Sequence, residues 1–126
     1  MIKLKKNKFK DLIIVEGVQF HDQRGYLKEI FIEKKIKKKF KFQIVSKSKK
    51  NVLRGLHYQK NKPQGKFISV IKGKIYDVAV DLRKNSKTYG KHFSLILSDK
   101  NCKSLYIPAG FAHGFQTLTN NVELLY

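Results

Sequence analysis

Three side chains in one short stretch carry the plausible chemistry of this sequence: Arg54, His57 and Lys66, within Val52 to Phe67, VLRGLHYQKNKPQGKF. A histidine ordinarily titrates near neutrality and can take a proton, while a nearby cation stabilises the negative charge left behind. That pair suits removal of a proton beside a carbonyl, with His57 as base and Lys66 as partner of the enolate. The two must first be brought together. If Val52 to Tyr58 is a strand, Arg54 and His57 face opposite sides unless a bulge intervenes, and Gly55 between them is the natural place for a bulge or a close backbone approach. Lys66 opens a second apolar run, FISVI, and a hairpin across the Lys-Asn-Lys-Pro-Gln-Gly loop is expected to bring His57 and Lys66 near each other. Taken alone, this stretch also reads as a surface histidine beside one lysine among many.

The elements that must position these groups are short. DLIIVEGVQ (11–19) and YLKEIFI (26–32) read as strands separated by the polar turn HDQRG, and Phe40 to Val45 as another, followed by a basic loop from Ser46 to Asn51. The lysine-rich segment 33–39 reads either as a short helix or as a solvated loop. Beyond Lys66, strand and turn signals alternate: FISVI, Lys72-Gly73, KIYDVAVDL, a turn over 83–90, HFSLIL, a turn over 98–103, SLYIP, then FQTL and VELLY around Asn120-Asn121. Many short strands without a long helix point to an all-β sandwich or barrel. In KIYDVAVDL, Tyr76, Val78, Val80 and Leu82 form an apolar face, and Asp77 and Asp81 on the other face either line a polar cavity or meet water. In YIPAGFAHGF (106–115), Pro108 and Gly110 mark a turn and His113 follows where the next strand begins.

The sequence has 126 residues, enough for one domain with a core, and its 41% hydrophobic and 12% aromatic content is that of a globular chain. No apolar run is long enough for a membrane span, and the lysine-rich start lacks the apolar stretch of a signal peptide, so the expected location is cytoplasmic, without membrane attachment. Cys102 is alone, which excludes an internal disulfide and agrees with a reducing compartment. The net charge of +19 would ordinarily point to a polyanionic partner. Its excess is nearly all scattered lysine, with only Arg24, Arg54 and Arg83 as arginines, so a solvated basic surface is favoured over specific nucleic-acid recognition.

The motifs taken together resemble the dTDP-4-dehydrorhamnose 3,5-epimerase family. They are Asp-Gln-Arg-Gly-Tyr-Leu-Lys-Glu at 22–29, Arg-Gly-Leu-His-Tyr-Gln at 54–59, Gln-Gly-Lys at 64–66, Gly-Lys-Ile-Tyr-Asp-Val-Ala-Val-Asp-Leu-Arg at 73–83, Thr-Tyr-Gly-Lys at 88–91 and Ile-Pro-Ala-Gly-Phe-Ala-His-Gly-Phe at 107–115. The resemblance implies a cupin-type jelly-roll β-sandwich, usually a homodimer, that epimerises a dTDP-4-keto-6-deoxy-hexose at the carbons flanking the ketone, in deoxysugar or lipopolysaccharide synthesis, without a cofactor. By the same resemblance His57 is the base, Lys66 stabilises the enolate oxygen and Tyr126 returns a proton on the other face. Arg54 and His113 hold the substrate, and Arg24 and Glu29 belong to a nucleotide-binding portion near the dimer interface. A metal is not expected: metal-binding cupins place two histidines one residue apart, whereas here the residue two after His57 is Gln59 and the cation of Lys66 stands where a carboxylate ligand would be expected.

The chain departs from the family pattern in two places. It is shorter, so residues 1–126 are expected to form a single cupin domain without the family's C-terminal portion, which in relatives carries the aspartate that pairs with the base histidine. The segment Phe42 to Ser48 lacks the asparagine that relatives often place before paired serines. The competing reading is a binding-only or inactive sugar-nucleotide cupin, favoured by that shorter chain. A basic nucleic-acid-binding barrel is disfavoured by the scarcity of arginine.

Overall fold

The computed structural model of this chain describes residues 1–126 and is almost entirely antiparallel β-structure. The strands are β1 (Lys3–Lys5), β2 (Ile13–Glu16), β3 (Gln19–Asp22), β4 (Gly25–Lys28), β5 (Val45–Ser48), β6 (Leu53–His57), β7 (Lys66–Lys72), β8 (Lys74–Asp81), β9 (His92–Ser98), β10 (Lys103–Ile107), β11 (Phe111–Thr117) and β12 (Val122–Leu125), with one helical turn, α1 (Glu33–Ile36). One sheet has the order β1-β2-β10-β7-β12-β5, and a second, facing it, has the order β6-β11-β8-β9. Hairpin β3-β4 belongs to neither.

The chain crosses repeatedly between the two large sheets, as a jelly roll does, and the crossings fall at turn signals. Lys72-Gly73 takes β7 into β8, and Gly73 has φ +89 with Thr119 and Val122 so close that a Cβ there would overlap them. The turn at 108–110 takes β10 into β11. Between the sheets lies a core that includes Phe9, Ile68, Ile75, Leu105, Phe115 and Leu124, each side chain contributing roughly 1.5–3 kcal/mol by leaving water. On the other face of the six-stranded sheet, Val15, Phe67 and Tyr106 pack with Ile2 and Ile36. Phe31 and Phe40 close this layer, Phe31 meeting both Phe40 and Phe67 edge-on and Phe40 lying tilted against Phe67. Strand β7 is therefore covered on both faces over residues 67–70, which accounts for an apolar run interrupted only by Ser69, whose buried hydroxyl is paired with that of Ser104.

Several expectations are corrected here. Strands β6 and β7 do not form a hairpin: β6 pairs only with β11, while β7 sits between β10 and β12 in the opposite sheet. The loop between them carries the chain across the sandwich. The strand expected over 26–32 stops at Lys28, because Ile30, Phe31 and Ile32 turn onto the outer layer of the six-stranded sheet. The strand expected over 40–45 is displaced to Val45–Ser48, within the expected loop, since Phe40 is committed to that same layer. The lysine-rich segment takes the helical alternative for one turn, ended by Lys37 in the left-handed conformation.

The face of β8 that looked like its core side is its outer side. Ile75, Asp77, Ala79 and Asp81 are buried, while Tyr76 is exposed and Val78, Val80 and Leu82 are partly so. Asp81 is satisfied internally by Arg83, Ser86 and Thr88 at 2.5–3.0 Å. Burial by itself would raise the Asp81 carboxyl, but the hydrogen bonds from Arg83, Ser86 and Thr88 outweigh it and hold the group well below the ordinary carboxylate range.

Candidate active site

The bulge expected at Gly55 is present. His57 lies opposite His113 and Arg54 opposite Phe115, so β6 spends one more residue than β11 over the same span. Residues directly opposite one another point the same way, which places both Arg54 and His57 on the inner face with His113 and Phe115. Gly55 makes this possible: its φ is +96, and a Cβ on it would stand 2.5 Å from the His113 carbonyl oxygen. No larger residue allows β6 to come so close to β11.

Lys66 reaches the same region from the other sheet. As the first residue of β7 it pairs with Ile107 and shares that residue's inward face. His57 and Lys66 line one pocket with Tyr58, Gln59, Gln64 and Phe111. The proximity expected from the sequence holds, although the sandwich produces it and not a hairpin. The pocket opens into a groove of about 480 Å³ whose walls include Gln64, Lys66, Phe67, Phe40 and Tyr126, a size that suits a small-molecule ligand. Gln59, Pro63, Gln64 and Lys66 line both spaces, so the pocket that holds His57 adjoins the groove that holds Tyr126, and Lys66 is common to the two. Tyr126 is fixed there by two backbone hydrogen bonds to Ile44, 2.6 and 2.9 Å long.

The electrostatics are uneven. Lys66 is partly buried, and burial lowers its pKa from the ordinary lysine value while the charge of Asp77 opposes that drop. Arg54 donates from Nε to the Ser48 hydroxyl at 3.0 Å, bridging the mouth between the sheets. His113 is buried, and its Nε2 lies 2.7 Å from Oδ2 of Asp77. No group of three or more His, Cys, Asp or Glu side chains is arranged to hold a metal ion. Arg24 and Glu29 are not in the groove: both are exposed, and Arg24, in the β3-β4 turn, is ion-paired with Asp22 at 2.6 Å. Two contributors are additions to the sequence reading. Asp77, left open between a polar cavity and water, faces inward onto His113, and an apolar recess of Phe31, Phe40, Phe42 and Phe67 adjoins Tyr126.

Fold and site together define a cupin-type β-sandwich in which a histidine, a lysine and a tyrosine line two adjoining pockets. The family model described as dTDP-4-dehydrorhamnose 3,5-epimerase matches residues 6–126, and the chain belongs to that family. It is 48% identical over 119 residues to the dTDP-4-dehydrorhamnose 3,5-epimerase of Methanothermobacter thermautotrophicus, covering 90% of this chain and 64% of that protein. It is 44% identical to the Salmonella typhimurium enzyme of the same name over 96% of this chain and 70% of that one. Among solved structures, it superposes with a TM-score of 0.92 and 37% identity on the Legionella pneumophila dTDP-6-deoxy-D-glucose-3,5-epimerase in complex with dTDP-4-keto-L-rhamnose, over 99% of this chain and 70% of that one. The chain thus spans about two thirds of the length of these relatives. No helix is long and apolar enough to cross a membrane.

Proposed function

We propose that this chain epimerises a dTDP-4-keto-6-deoxy-hexose at one or both carbons flanking the ketone, as an isomerase of deoxysugar synthesis. The observation that carries the reading is that Lys66 lines one pocket with His57 and the adjoining groove with Tyr126. Inversion requires a base on one side of the sugar ring and an acid on the other, with a stabiliser at the oxygen between the two acidified carbons. His57 takes the proton from the carbon beside the ketone, and the bonding electrons move onto the ketone oxygen next to the Lys66 ammonium. The enolate then collapses, forming a C–H bond on the opposite face with the proton of the Tyr126 hydroxyl, and tyrosinate and imidazolium return to their starting states by exchange with water. Arg54 and His113 hold the sugar in this scheme, and Arg24 and Glu29 serve the nucleotide.

The same proposal includes a homodimer and a cytoplasmic location, with neither a cofactor nor a metal required. The dimer is supported by the apolar outer face of the four-stranded sheet, where Leu53, Leu56, Tyr76 and Ile96 are exposed, and by hairpin β3-β4, whose Phe20, Tyr26 and Leu27 are exposed as well. A two-stranded hairpin outside the main sheets gains most from docking on a second surface. Residues 1–126 read as one cupin domain short of the full length of its relatives, in keeping with the share of them that it covers.

One observation favours a binding-only cupin instead. No carboxylate is hydrogen-bonded to His57, and the buried carboxylate nearest in register is committed to His113. A base without such a partner is weaker. Solvent deuterium incorporation into dTDP-4-keto-6-deoxyglucose, followed by NMR with the wild type and His57→Ala, separates the readings. Exchange that falls at least about 100-fold in His57→Ala, with dTDP binding retained, supports the epimerase. Undiminished exchange in His57→Ala refutes the base assignment, and no exchange by folded wild-type protein selects the binding-only reading.

A further inference from the structure

Asp77 is fully buried near the middle of β8, and only half of it is accounted for. Oδ2 accepts from Nε2–H of His113, whereas Oδ1 is buried without any hydrogen-bond partner. A buried carboxylate with an unpaired oxygen is unfavourable unless its charge has a use or a counter-charge. The groups facing it are few. Within its own sheet these are His113 on β11 and, beyond it, His57 and Arg54 on β6; the inward side chains of β9 are Phe93, Leu95 and Leu97, which do not titrate. From the opposite sheet come Lys66 on β7 and the phenol of Tyr126 after β12, since the inward side chains of β10 and β12 are otherwise apolar.

No ion pair joins Asp77 to Lys66, so the side chain through which Asp77 can act is His113. A carboxylate can only accept, so the His113 proton must sit on Nε2, and Nδ1 is left as the nitrogen available to any other partner. The charge of Asp77 also opposes the lowering of the Lys66 pKa by burial.

We propose that Asp77 is a positioning residue of this site, a buried carboxylate that fixes the ring orientation and the tautomer of His113 before any ligand arrives. It touches neither the sugar nor the groove and acts through that side chain. The inference deepens the proposed reaction and rests on it only for its kinetic consequence.

The test is Asp77→Asn, which preserves size and an acceptor for His113 but removes the charge. In the wild type, ¹⁵N NMR should show His113 with its proton on Nε2. In Asp77→Asn, whose amide can donate as well as accept, the His113 proton should be spread over both ring nitrogens. If Asp77→Asn does not fold, Asp77→Ser serves the same comparison. In the proposed reaction the KM for dTDP-4-keto-6-deoxyglucose should rise more than kcat falls in the same variant, since His113 holds the sugar. A His113 proton on Nδ1 in the wild type, or the same single tautomer in a folded neutral variant, overturns the proposal. His113 behaving as stated, with no deuterium exchange by any form, sustains the role of Asp77 and overturns the epimerase reading instead.

Discussion

Gly55→Ala tests the reasoning that a single glycine aims the site. Two terms combine at this position. An L-residue in left-handed backbone costs about 1–2 kcal/mol, and φ at Gly55 is +96. The new Cβ would lie 2.5 Å from the His113 carbonyl oxygen and 2.8 Å from Gly114 Cα. Both are backbone atoms of β11, which is also held by β8 on its other edge and so has little room to retreat. Overlap of this kind adds about 1–3 kcal/mol, for a total of roughly 2–5 kcal/mol. Gly90→Ala isolates the first term, since Gly90 has φ +76 and nothing within 4 Å of its would-be Cβ. At about 4 °C per kcal/mol for a chain of this size, circular dichroism should show Tm lowered by roughly 8–20 °C for Gly55→Ala and roughly 4–8 °C for Gly90→Ala. Equal losses would mean that the close approach of β6 to β11 is not a constraint, and the account of how Arg54 and His57 come to share a face would fail. Whatever Gly55→Ala protein remains folded should also exchange deuterium more slowly, because the bulge carries His57.

Other consequences can be checked independently. Tyr126→Phe should spare deuterium exchange more than net inversion, because proton removal needs only His57; equal loss of both would count against Tyr126 as the acid. The Asp81 carboxyl is held low in the folded protein, so its contribution to stability is present above the unfolded carboxylate value near 4 and is lost as pH falls through and below it. Urea midpoints measured from pH 6 to pH 3 should therefore fall less steeply for Asp81→Asn than for the wild type, and parallel slopes would refute the assignment. At pH 7 the same variant should be less stable by about 2–4 kcal/mol, since Arg83 loses a charged, buried partner.

Much of the local structure was legible from residue patterns. β-Branched runs, the turns at Lys72-Gly73 and at 108–110, and the bulge at Gly55 all depend on backbone preferences that act within a few residues. The pairing of β6 was not legible. Adjacent strands joined by a short loop favour a hairpin, yet the segment 58–65 crosses the sandwich because β6 completes the inner face beside β11 while β7 needs cover on both sides. Alternation in β8 likewise reveals two faces without saying which is buried. Its apolar face turned outward because Asp77 and Asp81 found donors inside.

The residue types along the groove were therefore determined by the sequence itself: a histidine, a lysine and a phenol at positions 57, 66 and 126, with a glycine at 55 to let two of the strands meet. Only the tertiary structure decided that His57 and Lys66 meet from opposite sheets, that Arg24 and Glu29 lie away from them, and that Asp77 is committed to His113. Short-range chemistry is written in neighbouring residues, whereas strand partners and buried faces are chosen by which arrangement satisfies every apolar face and every buried polar atom at once.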